Sequence, residues 1–274
     1  MKKILVPTDF SEEAENALKV AAQLAKDYDS EIYLMHMLEL PLHQIDALSS
    51  HSELPEAMFF MKLAHKRFED VMRKDYLKGI TVHETVEFKK GFSNIKEICT
   101  DHKIDLIVMG SHGIDGFKEM FIGSNAEKVV RNSSVPVLVI KNEHEKFHID
   151  NFVFASDFNK DSRETYKQAA EIAEAFDAKL HLLLVITASN FITSSQANER
   201  VKSFIKDYNY NNLSINIYND ETVESGILNF SKSINADLIG ISTHGRQGIA
   251  HFFNGSISED LVNHAKRPVM TFKI

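Results

Sequence analysis

The chain has 274 residues, of which 43% are apolar and 26% charged, proportions of a folded globular protein that exclude disorder as its main state. Lys and Arg number 31 against 39 Asp and Glu, a net charge of −8. That excludes generic binding to a nucleic-acid backbone and leaves room for a pocket holding one small anion. The single cysteine, Cys99, excludes an intramolecular disulfide and a cysteine-based zinc site, and it fits a reducing compartment. Apolar runs such as Leu106–Val108 and Val135–Ile140 fall far short of the ~20 residues of a membrane span. The apolar run near the start, Ile4-Leu5-Val6, is shorter than the roughly 7–15 residues of a signal peptide. The expectation is a cytoplasmic protein with no membrane and no nucleic-acid partner.

In chain order, Ile4–Pro7 predicts a short buried strand. Ser11 then caps a helix, Glu12 and Glu13 sit in its positive first turn, and Ala14, Leu18, Ala21 and Ala25 recur at helical spacing. Ile32 to Leu38 predicts a second strand. After a polar segment, Met61, Ala64, Phe68, Val71 and Met72 trace a helix stopped by Gly79. Val82 to Phe88 predicts a third strand, and a short helix carrying Ile95 and Ile98 begins near Ser93. Leu106 to Met109 predicts a fourth strand, a helix runs from about Ser124 to Arg131, and Pro136 to Ile140 predicts a fifth strand. Beyond the polar stretch from Asn142 to His148 the order repeats. Tyr166, Ala169, Ala170, Ala173 and Phe176 form one helical stripe, Ala197, Val201, Phe204 and Tyr208 another, and Leu213, Ile215 and Ile217 alternate as in a half-buried strand.

The repetition is one of sequence as well as of pattern. Ile4-Leu5-Val6-Pro7-Thr8-Asp9-Phe10 matches Phe152-Val153-Phe154-Ala155-Ser156-Asp157-Phe158, displaced by 148. The stretch from Asp105 to Gly113 matches that from Asp237 to Gly245, displaced by 132, and this holds without a gap through Pro136 and Pro268. The second copy is thus 16 residues shorter in its middle. A unit of this size is a duplicated domain rather than a solenoid repeat. The domains are expected at 1–143 and 148–274. Alternating strands and helices predict an α/β fold in each, with a mostly parallel sheet and helices on both faces.

Ligands of such sheets bind beyond the carboxyl ends of the strands, and the polar features gather there. Asp9 and Asp157 end the first strand of each copy. Gly110-Ser111-His112-Gly113 follows the fourth strand, and Gly123-Ser124 opens the next helix. Gly110 and Gly113 allow a sharp turn and close backbone approach. Gly123 and Ser124 present N–H groups where the helix dipole favours an anion, and the Ser124 hydroxyl adds a donor. Together they predict a phosphate cradle that needs no lysine. There is no Gly-x-x-x-x-Gly-Lys-[Ser/Thr] and no Gly-x-Gly-x-x-Gly after the first strand, which excludes a P-loop and weakens a dinucleotide reading.

Gly110-x2-Gly113-x9-Gly123-Ser124, with a first strand ending in Pro7-Thr8-Asp9 and a last strand led by Pro136-Val137, resembles the nucleotide motif of the universal stress protein family. The resemblance covers essentially the whole chain twice, as in the tandem members. It implies Rossmann-like domains of the adenine nucleotide alpha-hydrolase-like kind, each a five-stranded sheet in the order 3-2-1-4-5. It also implies ATP, with or without Mg2+, at the tips of strands one, two and four. Pro7, Thr8 and Asp9 would meet the nucleoside, Asp9 through a hydroxyl or a divalent metal. Met37 would pack near the base, Met109 and Gly110 would flank the ribose or first phosphate, and Gly113, Gly123, Ser124 and Asn125 would hold the phosphates. Family dimers pair through their last strands, so a tandem chain would resemble such a dimer within one molecule. In the second copy Ser242 replaces the first motif glycine and Ala155-Ser156 replaces Pro7-Thr8, while Asp157, Gly245, Gly255 and Ser256 are kept. These mark a second, degenerate site, where Arg246 would add positive charge and the Ser242 side chain would obstruct backbone approach.

Plainer readings stand beside these. Asp9 is equally a turn or cap residue. His112 and His244 serve a loop carbonyl or a phosphate. Cys99 reads as buried and inert, and Met58, Met61 and Met72 as core or adaptable surface. The polar segment Pro41–Pro55 would be a lid over the first site. No catalytic residue stands out. The leading expectation is a stress-response protein whose nucleotide regulates conformation or binding of an unknown protein partner, with a homodimer as a further option. The rivals are a nucleotide-free tandem scaffold, a slow ATPase, and a sensor of another small ligand.

Overall fold

The computed structural model describes residues 1–38, 54–87, 95–111, 124–208, 210–243, 265 and 267–274. They fall into two compact units. The first comprises Met1–Gly116, Gly123–Val135 and Asn142–Lys146; Pro136–Lys141 and Phe147–Ile274 belong to the second.

The first unit contains β1 (Lys3–Pro7), α1 (Glu12–Tyr28), β2 (Glu31–Met37), α2 (Leu54–Met72), β3 (Val82–Glu87), α3 (Ile95–His102), β4 (Leu106–Gly110) and α4 (Ser124–Asn132). Its strands lie in the order β3-β2-β1-β4 and are all parallel, with Lys3 opposite Glu31, Ile32 opposite Val82 and Ile4 opposite Leu106. The second contains β5 (Val137–Ile140), β6 (Asn151–Ala155), α5 (Arg163–Ala175), β7 (Lys179–Ile186), α6 (Ser194–Phe204), β8 (Leu213–Asn219), α7 (Val223–Ser233), β9 (Leu238–Thr243) and β10 (Val269–Lys273). Its order is β5-β10-β9-β6-β7-β8, so the second copy's own five strands run 3-2-1-4-5. Among the described strands of this unit only β5 is antiparallel, with Val139 opposite Val269 on β10. The expected α/β architecture is therefore observed, and the strand led by Pro136 in the first copy packs with the second.

Local chemistry explains the elements. The Ser11 hydroxyl accepts from Ala14 N at 3.2 Å and caps α1, whose buried stripe includes Ala14, Leu18, Ala21 and Ala25. Thr193 and Gln196 form a reciprocal capping box on α6. Both copies use the same fixtures. Asp105 Oδ2 accepts from the main-chain N–H groups of Lys2 and Lys3, and Asp237 Oδ2 from those of Asp150 and Asn151. Left-handed residues recur in pairs, Phe10 with Phe158, Asp29 with Asp177 and Lys103 with Asn235. Cys99 is buried, and burial pushes its thiol up to about 12, as expected of an inert cysteine. Met58 and Met72 are surface residues rather than core. Residues 41–53 of the expected lid lie outside the described residues.

The two cores are filled differently at one matched pair of positions. Ile4 and Val108 of the first copy correspond to Phe152 and Gly240 of the second. A Cβ on Gly240 would lie 2.6 Å from Phe152 Cε2 and 3.1 Å from Phe272 Cε2. The larger ring occupies the volume that the valine fills in the first copy. Gly240→Ala is expected to destabilise by about 1–3 kcal/mol through overpacking, whereas Gly240→Ala combined with Phe152→Ile recovers most of the loss. Urea unfolding of the three proteins measures this.

Candidate functional site

Buried β1 ends at Pro7, and the chain must turn at once into α1. Thr8 N donates to Met35 O at 2.8 Å, which extends the ladder by one bond. The Thr8 hydroxyl then accepts from Phe10 N at 2.9 Å, and Asp9 Oδ1 accepts from Ser11 N at 3.0 Å and from its hydroxyl at 2.5 Å. These are the bonds of a turn-and-cap residue, so Asp9 does the plainer job, and its carboxylate is held in a fixed position by doing it. Phe10 takes a φ of +64°, and its ring lies 4.8 Å from His36 and 5.2 Å from Phe68, with the Arg67 guanidinium 5.5 Å from its centroid.

Because β1 lies between β2 and β4, the tips carrying Thr8-Asp9, Met37 and Gly110 are neighbours. Met37 is half-buried, Met109 is buried, and Asn125 is exposed in the first turn of α4. Gly110 has a structural requirement of its own: a Cβ there would lie 2.7 Å from the main-chain oxygen of Glu13. The close approach that the motif demands at this position is therefore to the first turn of α1. Gly113 and Gly123, the Ser124 side chain, His112, and in the second copy His244, Gly245, Arg246, Gly255 and Ser256 lie outside the described residues.

In the second copy Ser156 Oγ accepts from Phe158 N, and Asp157, buried, accepts from Asn159 N at 3.1 Å, Asn159 Nδ2 at 2.5 Å and Ser162 Oγ at 3.3 Å. Ser242 is buried with its hydroxyl 2.7 Å from that of Thr165. Thr165 donates its own proton to Ser162 O, so Ser242 donates to Thr165. The Ser242 side chain thus bonds to α5. Lys160–Ser162 form a 3-10 turn, and α5 begins only at Arg163, where the displacement by 148 from α1 would have it begin at Lys160. A small open cleft is lined by Ala155, Ser156, Asp157, Leu183, Val185 and Ile227, among others. By the repeat these match Pro7, Thr8, Asp9, Met35, Met37 and Ile95, which brings the predicted positions of Pro7, Thr8, Asp9 and Met37 together on the counterpart tips.

Sequence reasoning missed His36, Arg67 and Thr165. His36 Nδ1 lies 2.8 Å from Thr8 O, and since a carbonyl only accepts, the neutral ring carries its proton on Nδ1. The second copy has Leu184 at the corresponding place. The Thr165 partnership was visible in the repeat: Gly110 and Ala17 are both small where Ser242 and Thr165 both carry a hydroxyl.

Burial holds His36 below its ordinary value of 6.5, and the Arg67 charge pushes the same way, against the Thr8 bond and Asp9. A histidine lowered in the fold binds its proton more readily when unfolded, so its contribution is complete above pH 6.5 and is lost as pH falls from there. His36→Leu is expected to flatten the acid side of the stability-versus-pH curve, measured by urea titration between about pH 5 and 8. Gly110→Ala is expected to lose about 1–3 kcal/mol in protein carrying no ligand, because the obstruction is Glu13. Thermal and urea unfolding of stripped protein check it.

The sequence model described as the Universal stress protein family matches residues 1–141 and 216–273. One universal stress protein of Methanocaldococcus jannaschii is 33% identical over 149 residues, which are 51% of this chain and 82% of that protein. Another from the same organism is 32% identical over 156 residues, 52% of this chain and 96% of that one. The crystal structure of a universal stress protein from Archaeoglobus fulgidus has a TM-score of 0.72 at 23% identity, covering 99% of this chain and 98% of its own, a likeness of fold along the full length. Shorter relatives match half of the chain and a longer structure matches all of it, so with its internal repeat this chain belongs to the universal stress protein family as a tandem member.

Proposed function

We propose that the first copy binds an adenine nucleotide, ATP foremost, at the tips of β1, β2 and β4, and that occupancy regulates conformation or the binding of a protein partner in the cytoplasm. The observation that carries this reading is the convergence of Thr8-Asp9, Met37 and Gly110 on three neighbouring parallel strand ends. The residues present suit such a ligand. Asp9 is held by Ser11 as a fixed acceptor for a ribose hydroxyl. Pro7 and Met37 supply apolar surface for a base, and Met109 and Gly110 supply main chain beside it. The first turn of α4 has N–H groups that its own helix cannot satisfy, a place suited to phosphate, with Ser124 and Asn125 first in line and Gly113 and Gly123 ahead of them in the chain. Bound ATP brings the anionic charge that this positive helix end favours; Mg2+ enters only with the nucleotide, with Asp9 as its protein ligand.

The second copy supports weaker or no nucleotide binding. There Ser242 replaces the first motif glycine, and its side chain is bonded to Thr165 on α5. A second reading, a nucleotide-free interaction module, draws on Met58, Phe59 and Leu63, which are 53%, 63% and 41% exposed on α2.

Calorimetric titration of nucleotide-stripped protein with ATP and Mg2+, beside Gly123→Val, tests the proposal. Saturable binding of one ATP per chain, lost in the variant, is the expected result. Two per chain would restore the second site, steady phosphate release would make the protein an ATPase, and absence of both heat and thermal stabilisation would leave the interaction module.

A further inference from the structure

The last strand is not available for pairing with another molecule, since β10 already has β9 on one side and β5 on the other. The exposed end of the second unit's sheet is β8. It pairs with β7 over its whole length, from Leu213 opposite Leu180 to Asn219 opposite Ile186. Asn212 O accepts from Leu180 N at 2.9 Å, and Asp220 N donates to Ile186 O at 3.1 Å. In a parallel pair a residue turns both main-chain groups to the same side, so the even-numbered residues face β7. Leu213, Ile215, Ile217 and Asn219 therefore turn their N–H and C=O groups outward. Every residue of β8 is at least partly exposed, and among the described residues no strand lies on that side.

Edges of this kind are ordinarily guarded by charge, proline or a bulge. Leu-Ser-Ile-Asn-Ile-Tyr-Asn has neither charge nor proline, and its register with β7 is unbroken. The edge of the first unit is different. Thr81 O accepts from Ile32 N and Glu87 O from Leu38 N, which turns Val82, Glu84 and Val86 outward. Glu84 thus puts a carboxylate into that edge, a guard that β8 lacks.

We propose that β8 is a self-association edge, through which two copies of this chain join antiparallel about a two-fold axis at Asn216. Main-chain hydrogen bonding sets the register, because an outward residue must meet an outward residue. Ile215 then faces Ile217 of the second copy and Leu213 faces Asn219, and this register uses the whole strand. Ser214 meets Tyr218 on the other face, and Asn216, whose amide nitrogen donates to Leu182 O and to Ser214 of its own chain, meets itself on the axis. The contact is isologous and closes at two. No charged side chain lies in this ladder, so the opposing force is the general repulsion between chains of net charge −8. Salt screens that repulsion, and the dimer therefore strengthens as salt is raised. This inference is independent of the nucleotide reading.

Sedimentation velocity of the full chain over a concentration series, at low and moderate salt, is expected to show a monomer–dimer equilibrium that shifts to dimer with salt. Asn216→Glu places like charges on the axis and is expected to abolish the dimer while leaving the thermal melt native. Opposed residues at such a position lie about 4.5 Å apart between Cα atoms, within disulfide range. Under mild oxidant Asn216→Cys is therefore expected to form a covalent dimer, and Glu84→Cys is not; buried Cys99 stays inert. A chain monomeric at every concentration overturns the proposal. So does a dimer that persists in folded Asn216→Glu, or equal cross-linking from both cysteine variants. Should Asn216→Glu fail to fold, the cross-linking comparison decides alone.

Discussion

Everything at the strand tips depends on a turn that must leave a buried parallel strand and enter a helical turn, α or 3-10, within four residues. Phe10 and Phe158 make it by adopting positive φ, which costs a non-glycine residue about 1 kcal/mol or more. Three side-chain contacts offset that strain in each copy. A hydroxyl at position 8 or 156 takes the N–H of the aromatic residue, the following aspartate takes the next free N–H, and the ring packs edge-on 5.2 Å from Phe68 or Phe204. The aspartate at the proposed ligand site is thus also part of the hinge between strand and helix. A residue that caps is a residue held still, and a fixed carboxylate is what recognition of a ribose needs.

The two copies show how one backbone plan accommodates different residues by paired exchange. Phe152 with Gly240 replaces Ile4 with Val108, moving side-chain bulk from one strand to its neighbour. Ser242 with Thr165 replaces Gly110 with Ala17, exchanging a close backbone approach for a hydrogen bond between hydroxyls. In each case the change at one position makes sense only with its partner. The glycine lost from the second motif is therefore a matter of how the first helix seats on the fourth strand. His36 has no counterpart in the second copy, where Leu184 occupies its place. The asymmetry between the copies thus extends beyond the glycines.

Much of this was legible in the sequence. Short apolar runs marked the strands because a strand covered on both faces must be apolar throughout. Ser11 and the acidic residues after it marked the start of α1 because helix ends need acceptors for their N–H groups. The aligned copies marked the duplication. Other features were hidden because they join residues whose separation along the chain has no pattern. Glu13 of α1 crowds Gly110 from nearly a hundred positions away, and His36 reaches Thr8 across neighbouring strands. The sequence showed that a glycine was needed at 110 and suggested a ligand as the reason, since a single chain does not announce which backbone comes close.

By itself, then, the sequence determined the α/β class, the two copies, the strand and helix series and the positions where polar residues collect. These follow from local patterning of burial and from capping chemistry, both of which act over a few residues. Only the tertiary structure decided that Val137–Ile140 runs antiparallel to β10, that Ser242 spends its hydroxyl on Thr165, and that β8 ends its sheet with uncharged residues and outward main-chain groups. Strand neighbours are chosen by hydrogen bonds between main-chain groups that every residue carries alike, so their pairing leaves no mark in the side-chain pattern.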